Sequence, residues 1–198
     1  RLQYVDVPAI VGITGACENV DTLFKVGNRL GIPLFFTQTG QLALEQALQK
    51  FPGVWTVIYS GRDEENEDER HLRQFRLTEE EFSWTTLKNN KKYNADVMFD
   101  CLLDHIQKAV KASLAEIVKN NRRVLLKIYK RNINDLERAV EKNFMRITYD
   151  EAVGLLQKDG FPNLAWGDDL KADHEQKIIT LLSGKNPLPT FITHYPKE

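Results

Sequence analysis

The chain has 198 residues, 42% hydrophobic and 28% charged, which supplies enough apolar material for a packed core and excludes a wholly disordered segment. Twenty-seven Lys and Arg against 28 Asp and Glu leave a net charge of −1, so the chain as a whole is not a free-standing electrostatic nucleic-acid binder. No apolar run approaches membrane-spanning length, and Cys17 and Cys101 lack metal-ligand spacing, so a reduced, intracellular setting is expected.

The first eleven residues alternate loosely around Pro8 and predict a strand that ends in a turn. Leu34-Phe35-Phe36 predicts a short buried strand. Thr39 can cap a helix whose apolar face is Leu44, Ala47, Leu48 and Phe51, with Pro52-Gly53 as its stop. Val54 to Ser60 is rich in β-branched and aromatic residues and reads as a strand. A charged stretch from Arg62 to Arg70 follows, and Phe75-Arg76-Leu77 resumes the extended pattern, giving a long-looped hairpin. After a polar linker at Lys88 to Asn94, a long amphipathic helix runs from about Asp96 to Lys119. A shorter helix covers Asn134 to Lys142. Thr148 and Glu151 fit a capping box for a helix that Gly160 stops. Asp173 to Leu182 predicts a further helix, and Thr190 to Tyr195 a late strand. Without regular alternation of strand and helix, the fold class is α+β, an antiparallel sheet with flanking helices.

The hairpin carries the most specific chemistry. Arginine offers a planar fork to phosphate oxygens, and an aromatic ring offers a flat partner to adenine. Arg62, His71, Arg73 and Phe75 supply such groups within one short hairpin. Arg62 and Phe75 sit on opposite strands, at a separation that a nucleotide can bridge. On chemistry alone, a charged surface loop with a core Phe explains the same residues.

The segment GRDEENEDERHLRQFRLTEEE resembles motif 2 of class II aminoacyl-tRNA synthetases of the aspartyl/asparaginyl subgroup. Arg62 and Glu64 match its first element; Arg70, His71, Leu72 and Phe75 match its second; Glu79 and Glu81 match its two spaced acids. Tyr4 to Pro8 resembles the end of motif 1, Cys17-Glu18 the family's glutamate-bearing loop, and Phe36 to Leu42 with Glu45 the amino-acid loop and its helix. Arg146 to Ala152, Trp166 to Leu170, His174-Glu175 and Thr193 to Glu198 resemble the asparaginyl branch. The expected organisation is a partial catalytic domain over 1–198: the motif 1 end and motif 2 in 1–85, a helical insertion at about 95–145 and a branch segment at 146–198, with the motif 3 part missing.

The resemblance implies an enzyme in which ATP activates asparagine and the acyl group passes to tRNA(Asn). It implies Arg62 on the α-phosphate and the substrate carboxylate, Phe75 stacked on adenine, Glu64 near the adenine amino group, and Arg70 and His71 on the outer phosphates. It implies Glu18 and Gln41 at the α-amino group, with Gln38 a weaker candidate, and Glu79 facing the substrate side chain. A glutamate there accepts a hydrogen bond from an amide and repels a carboxylate, which favours asparagine over aspartate. Mg2+ is expected with ATP, its ligands outside this chain. A homodimer and a cytoplasmic or mitochondrial location are also expected.

Other features have plain readings. His174 and Glu175, adjacent on a helix, point to different faces and do not form a metal pair. The basic run Lys119 to Arg131 reads as a solvated helix end or as an approach to RNA. Four positions depart from the family pattern: Asn19 for Gly, Gly61 for Phe, Gln74 for Glu and His194 for Asp. They motivate two other readings: a tRNA-independent paralogue, such as an asparagine synthetase working through aspartyl-adenylate, and an inactive regulatory homologue.

Overall fold

The computed structural model describes residues 2–15, 20–64, 72–83 and 94–197, and the chain divides into two compact units, 1–94 and 95–198. In the first unit, strands β1 (Gln3–Tyr4), β2 (Ile10–Val11) and β3 (Phe35–Phe36) precede helix α1 (Gln41–Ala47). The long strands β4 (Gly53–Gly61) and β5 (Gln74–Phe82) then form the expected hairpin.

Strand alternation organises this unit. Val54, Thr56, Ile58 and Ser60 point to one side of β4 and are buried. Opposite them on β5 stand Glu81, Glu79, Leu77 and Phe75, in antiparallel register. Helix α1 packs on both strands through its fully buried Leu44. On the other face the Tyr4 ring meets Trp55 edge-on at 5.1 Å, and the Arg76 guanidinium lies over the Tyr59 ring at 5.1 Å.

In the second unit, helix α2 (Ala95–Lys127) turns back into α3 (Ile133–Glu141). Strand β6 (Met145–Thr148), helices α4 (Tyr149–Lys158) and α5 (Ala172–Ser183), and strand β7 (Thr190–Thr193) follow. The core gathers Ile147, Tyr149, Val153, Leu156, Leu164 and Ile178 between α4, α5 and the two strands. Arg146 ties β6 to α2 through Asp100 at 2.9 Å and Asp104 at 2.6 Å. The buried Tyr149 hydroxyl donates to the Asp168 carbonyl at 2.6 Å and accepts from the Gly167 amide at 3.0 Å, which fixes the Trp166-to-Leu170 loop. His174 is a structural residue: its Nδ1 accepts the Lys171 amide at 3.1 Å, and its ring meets Phe161 edge-on at 4.4 Å.

The structure adjusts several expectations. The opening segment forms two short strands, with β2 paired to β3. Antiparallel pairing holds for β4–β5 and β2–β3, but β1 runs parallel to β4 and β6 parallel to β7. Parallel pairs need long crossovers, and α4 with α5 supplies one between β6 and β7. Helix α2 continues eight residues beyond Lys119, to Lys127, and absorbs the polar Asn120-Asn121 pair as a kink at Asn121 (φ −122°, ψ 16°). Among the described residues no helix is long and apolar enough to cross a membrane.

The capping box at α4 is complete: the Thr148 hydroxyl accepts the Glu151 amide at 3.2 Å, and the Glu151 carboxylate accepts the Thr148 amide at 2.9 Å. The Thr148 amide, and after it the Thr148 hydroxyl donating to the same carboxylate oxygen at 2.9 Å, hold the Glu151 carboxyl below its ordinary range. A folded-state pKa below the unfolded one gives stability that is present above the unfolded pKa and lost on acidification. Thr148→Ala removes the N-cap hydroxyl and should lower the unfolding free energy at pH 7, by about 1 kcal/mol for the lost cap alone. The loss should shrink below the ordinary carboxylate range, as read by denaturant titration at both pH values.

Candidate functional site

The buried face of the β4–β5 hairpin runs from Phe75 and Ser60 at one end to Glu79 and Glu81 at the other. Four residues of strand separate Phe75 from Glu79, about 13 Å at the usual rise. A half-buried aromatic ring and a half-buried carboxylate thus share one surface at nucleotide-like spacing.

Arg62 follows the last residue of β4. Its amide donates to the Arg73 carbonyl at 2.9 Å, which continues the ladder one rung beyond the Gly61–Gln74 pair. By alternation Arg62 belongs to the same face as Ser60 and Phe75. Arg73 braces this end: its Nη1 lies 3.4 Å from the Asp63 carboxylate, and its Nη2 donates to the Glu64 carbonyl at 3.1 Å. The Asp63 amide donates to the Thr22 carbonyl at 2.8 Å. Gly61 is closely surrounded: a Cβ there would lie 3.1 Å from Phe36, 3.2 Å from Phe24 and 3.0 Å from the Arg73 carbonyl, so these neighbours would have to shift. Two rings thus occupy the space around the position where the resembled pattern has Phe.

At the other end Glu79 reaches across to the start of α1. One carboxylate oxygen accepts the Gly40 amide at 2.6 Å, and the other accepts the Thr39 hydroxyl. Thr39 Oγ in turn accepts the Gln41 amide at 3.1 Å. The first turn of the helix is therefore satisfied by a carboxylate from β5, where the helix dipole favours negative charge. Gly40, not Thr39, stands at the N-cap; a Cβ on it would come within 2.9 Å of the Glu79 carboxylate and 3.0 Å of Thr56 Cγ2.

Gln41 opens α1 and donates its side-chain amide to Glu45 at 2.8 Å. Gln38 is buried, and its amide nitrogen donates to both the Thr22 carbonyl and hydroxyl at 3.0 Å. Its carbonyl accepts the Ser60 hydroxyl at 2.8 Å, so Gln38 couples the loop before α1 to the hairpin. The Glu81 carboxyl is pushed above its ordinary range, first by burial and then by repulsion from Glu45 and Glu79. Among the described residues no group of three His, Cys, Asp or Glu is arranged to hold a metal ion.

The structure brings Phe75, Glu79, Arg62 and Glu64 onto one hairpin, with Gln38 and Gln41 on the loop and helix packed against it. Glu18, Arg70 and His71 lie outside the described residues. Sequence reasoning missed the Thr39–Gly40 grip on Glu79 and the Arg73 brace. Strand alternation signals the shared face of Phe75 and Glu79; no local pattern signals a carboxylate capping a helix 39 residues earlier in the chain.

The family model described as tRNA synthetases class II (D, K and N) matches residues 3–198. The asparaginyl-tRNA synthetase from Pyrococcus horikoshii, complexed with asparaginyl-adenylate, superposes with a TM-score of 0.78 at 29% identity, over 98% of this chain and 40% of that one. The Entamoeba histolytica asparaginyl-tRNA synthetase in complex with asparaginyl-adenylate gives a TM-score of 0.73 at 21% identity, over 99% of this chain and 39% of that one. The aspartyl-tRNA synthetase from Entamoeba histolytica gives 0.68 at 20% identity, over 98% and 33%. The chain thus spans about two fifths or less of the length of these structures. With a family match along nearly its whole length, the chain belongs to the class II tRNA synthetases of the D, K and N group.

Proposed function

We propose that this chain is the ATP- and asparagine-binding part of an asparagine–tRNA ligase. The observation that carries the reading is the Glu79 carboxylate, held by Thr39 and Gly40 on the same buried face as Phe75. The reaction begins when the asparagine carboxylate attacks the α-phosphorus of ATP and pyrophosphate leaves. Little proton transfer is required, so the protein's work is alignment and neutralisation of charge at phosphorus.

In this reading Phe75 stacks on adenine and Arg62 grips the α-phosphate and the attacking carboxylate. Glu64 faces the adenine amino group, and Arg70 and His71 meet the outer phosphates. Glu18 and Gln41 meet the α-amino group, with Gln38 as the buried support of that loop. Arg73, through Asp63 and the Glu64 carbonyl, keeps the backbone beside Arg62 in place. The activated acyl group then passes to the 3′ end of tRNA(Asn). Mg2+ is expected to accompany ATP, with its ligands outside this chain. The protein would act as a homodimer in the cytoplasm or mitochondrion.

Selectivity follows from charge. Each Glu79 oxygen already accepts one hydrogen bond and keeps a lone pair for a substrate amide N–H. An aspartate side chain would instead bring a fourth carboxylate beside Glu45, Glu79 and Glu81. Asparagine over aspartate is the expected preference.

The whole protein should exchange pyrophosphate into ATP when asparagine is supplied. No response to any amino acid, with tRNA present, would overturn the enzymatic reading, and a response to aspartate alone would overturn the role of Glu79. Arg62→Ala should lower the exchange rate by about 10²- to 10³-fold, the usual effect of removing one preorganised charge-stabilising donor. Full activity in that variant would place the motif out of register.

Glu81 yields a prediction about stability. Its raised folded-state pKa means that stability is fully present below the unfolded pKa and lost as pH rises through the folded one. At neutral pH the ionised side chain therefore opposes folding. Glu81→Gln should raise unfolding free energy at pH 7 by on the order of 0.5 kcal/mol, a small figure because solvent screens a partly exposed charge. The gain should vanish in the acid range, where the wild-type carboxyl is already protonated. Equal stabilisation at pH 4 and pH 7 would assign it to another cause.

A further inference from the structure

Residues 119–131 contain Lys119, Arg122, Arg123, Lys127, Lys130 and Arg131 and no Asp or Glu, in a chain of net charge −1. The structure gives this run a definite form. Helix α2 carries it past the kink at Asn121 to Lys127, and a turn then returns the chain to α3. Two of the cations are paired, Arg122 with Glu137 at 2.5 Å and Lys119 with Glu116 at 4.0 Å. Arg123, Lys127, Lys130 and Arg131 are exposed and make no ion pair among the described residues. Arg123 and Lys127 are one helical turn apart on one strip of surface. Tyr129 is 65% exposed beside them.

The helix dipole explains cations in the last turn of α2. It does not explain the residues beyond that turn. Lys130 adopts a left-handed conformation, φ 50°, where glycine is the least strained choice. The Arg131 amide donates to the Leu125 carbonyl at 2.9 Å and closes the helix end through this residue. A strained position is thus occupied by a cation, next to a further cation and an exposed aromatic ring.

We infer that the tip of the α2–α3 hairpin is a contact surface for structured RNA. Arg123, Lys127, Lys130 and Arg131 meet phosphates, and the Tyr129 ring stacks on an unpaired base. Single-sign charge around a flat aromatic is the composition that backbone-plus-stacking recognition of RNA uses. The inference rests on the tRNA-ligase reading for its choice of RNA and adds to it a contact surface away from the amino-acid and ATP residues.

Lys130→Gly separates a structural role from a binding one. Binding of an in vitro transcript of tRNA(Asn) to the whole protein is measured by fluorescence anisotropy across a salt series, beside thermal denaturation. Lys130→Gly should leave stability unchanged or raised, weaken binding several-fold near 0.1 M salt and reduce the salt slope by roughly one. Arg123→Gln with Lys127→Gln should weaken binding by about tenfold or more, with a further drop in slope. Asparagine-dependent pyrophosphate exchange, which needs no tRNA, should be unchanged in both. Wild-type binding and wild-type slope in both variants would overturn the inference. So would variants that bind the transcript normally but lose binding to polyglutamate, which would assign the tip to an acidic protein. If the wild-type protein shows no exchange yet the variants lose RNA binding, the proposed function fails and this surface stands.

Discussion

The first unit depends on one carboxylate. Glu79 leaves β5 and accepts hydrogen bonds from the Thr39 hydroxyl and the Gly40 amide at the start of α1. A helix of seven residues is too short to be stable alone. Here its N-terminal donors and Leu44 are both anchored on the hairpin, so the sheet fixes the helix rather than the reverse. The same contact constrains the sequence. A Cβ on Gly40 would crowd the Glu79 carboxylate and Thr56 Cγ2, and the Thr39 hydroxyl both donates to Glu79 and accepts the Gln41 amide. Two neighbouring residues of the loop thus answer to one side chain of a distant strand.

A second buried polar chain supports the opposite end of the hairpin. The Ser60 hydroxyl donates to the Gln38 carbonyl, the Gln38 amide donates to Thr22, and the Thr22 carbonyl also accepts the Asp63 amide. The Thr14 hydroxyl accepts the Gln38 backbone N–H at 3.2 Å. Buried polar groups are costly unless partnered, and these are partnered with one another. The loop bearing Gln38 and Gln41 is therefore coupled to the backbone beside Arg62 without sharing a strand with it. In the proposed reaction this rigidity matters, because the groups on amino acid and nucleotide must align before attack.

The hairpin was legible because two signals coincide. The motif residues fix Arg62 and Phe75, and strand alternation then puts Phe75, Leu77, Glu79 and Glu81 on one face. Helix boundaries from Ile133 onward were legible within a residue or two, because caps such as Thr148–Glu151 are local. Strand partners were less legible. Residues Met145–Thr148, not expected as a strand, pair in parallel with Thr190–Thr193 through two intervening helices, because four residues carry too little pattern to announce a strand or its direction. The end of α2 was misjudged for a physical reason: Asn120 and Asn121 resemble a stop, but the helix absorbs them as a kink and continues. No local pattern signals that the Gln38 side-chain nitrogen is turned to Thr22.

The acidic end of the sheet face is a local conflict in an otherwise consistent fold. Glu79 is satisfied by the helix start, whereas Glu81 is raised by burial and by Glu45 and Glu79 beside it. A sequence optimised for stability alone would neutralise Glu81, because three clustered carboxylates repel. Such departures from local consistency are expected where a site needs a particular field. A negative field here attracts an ammonium, tolerates an amide and rejects a second carboxylate. The destabilising charge and the proposed choice of asparagine over aspartate are then two consequences of one arrangement, in which stability is traded for discrimination.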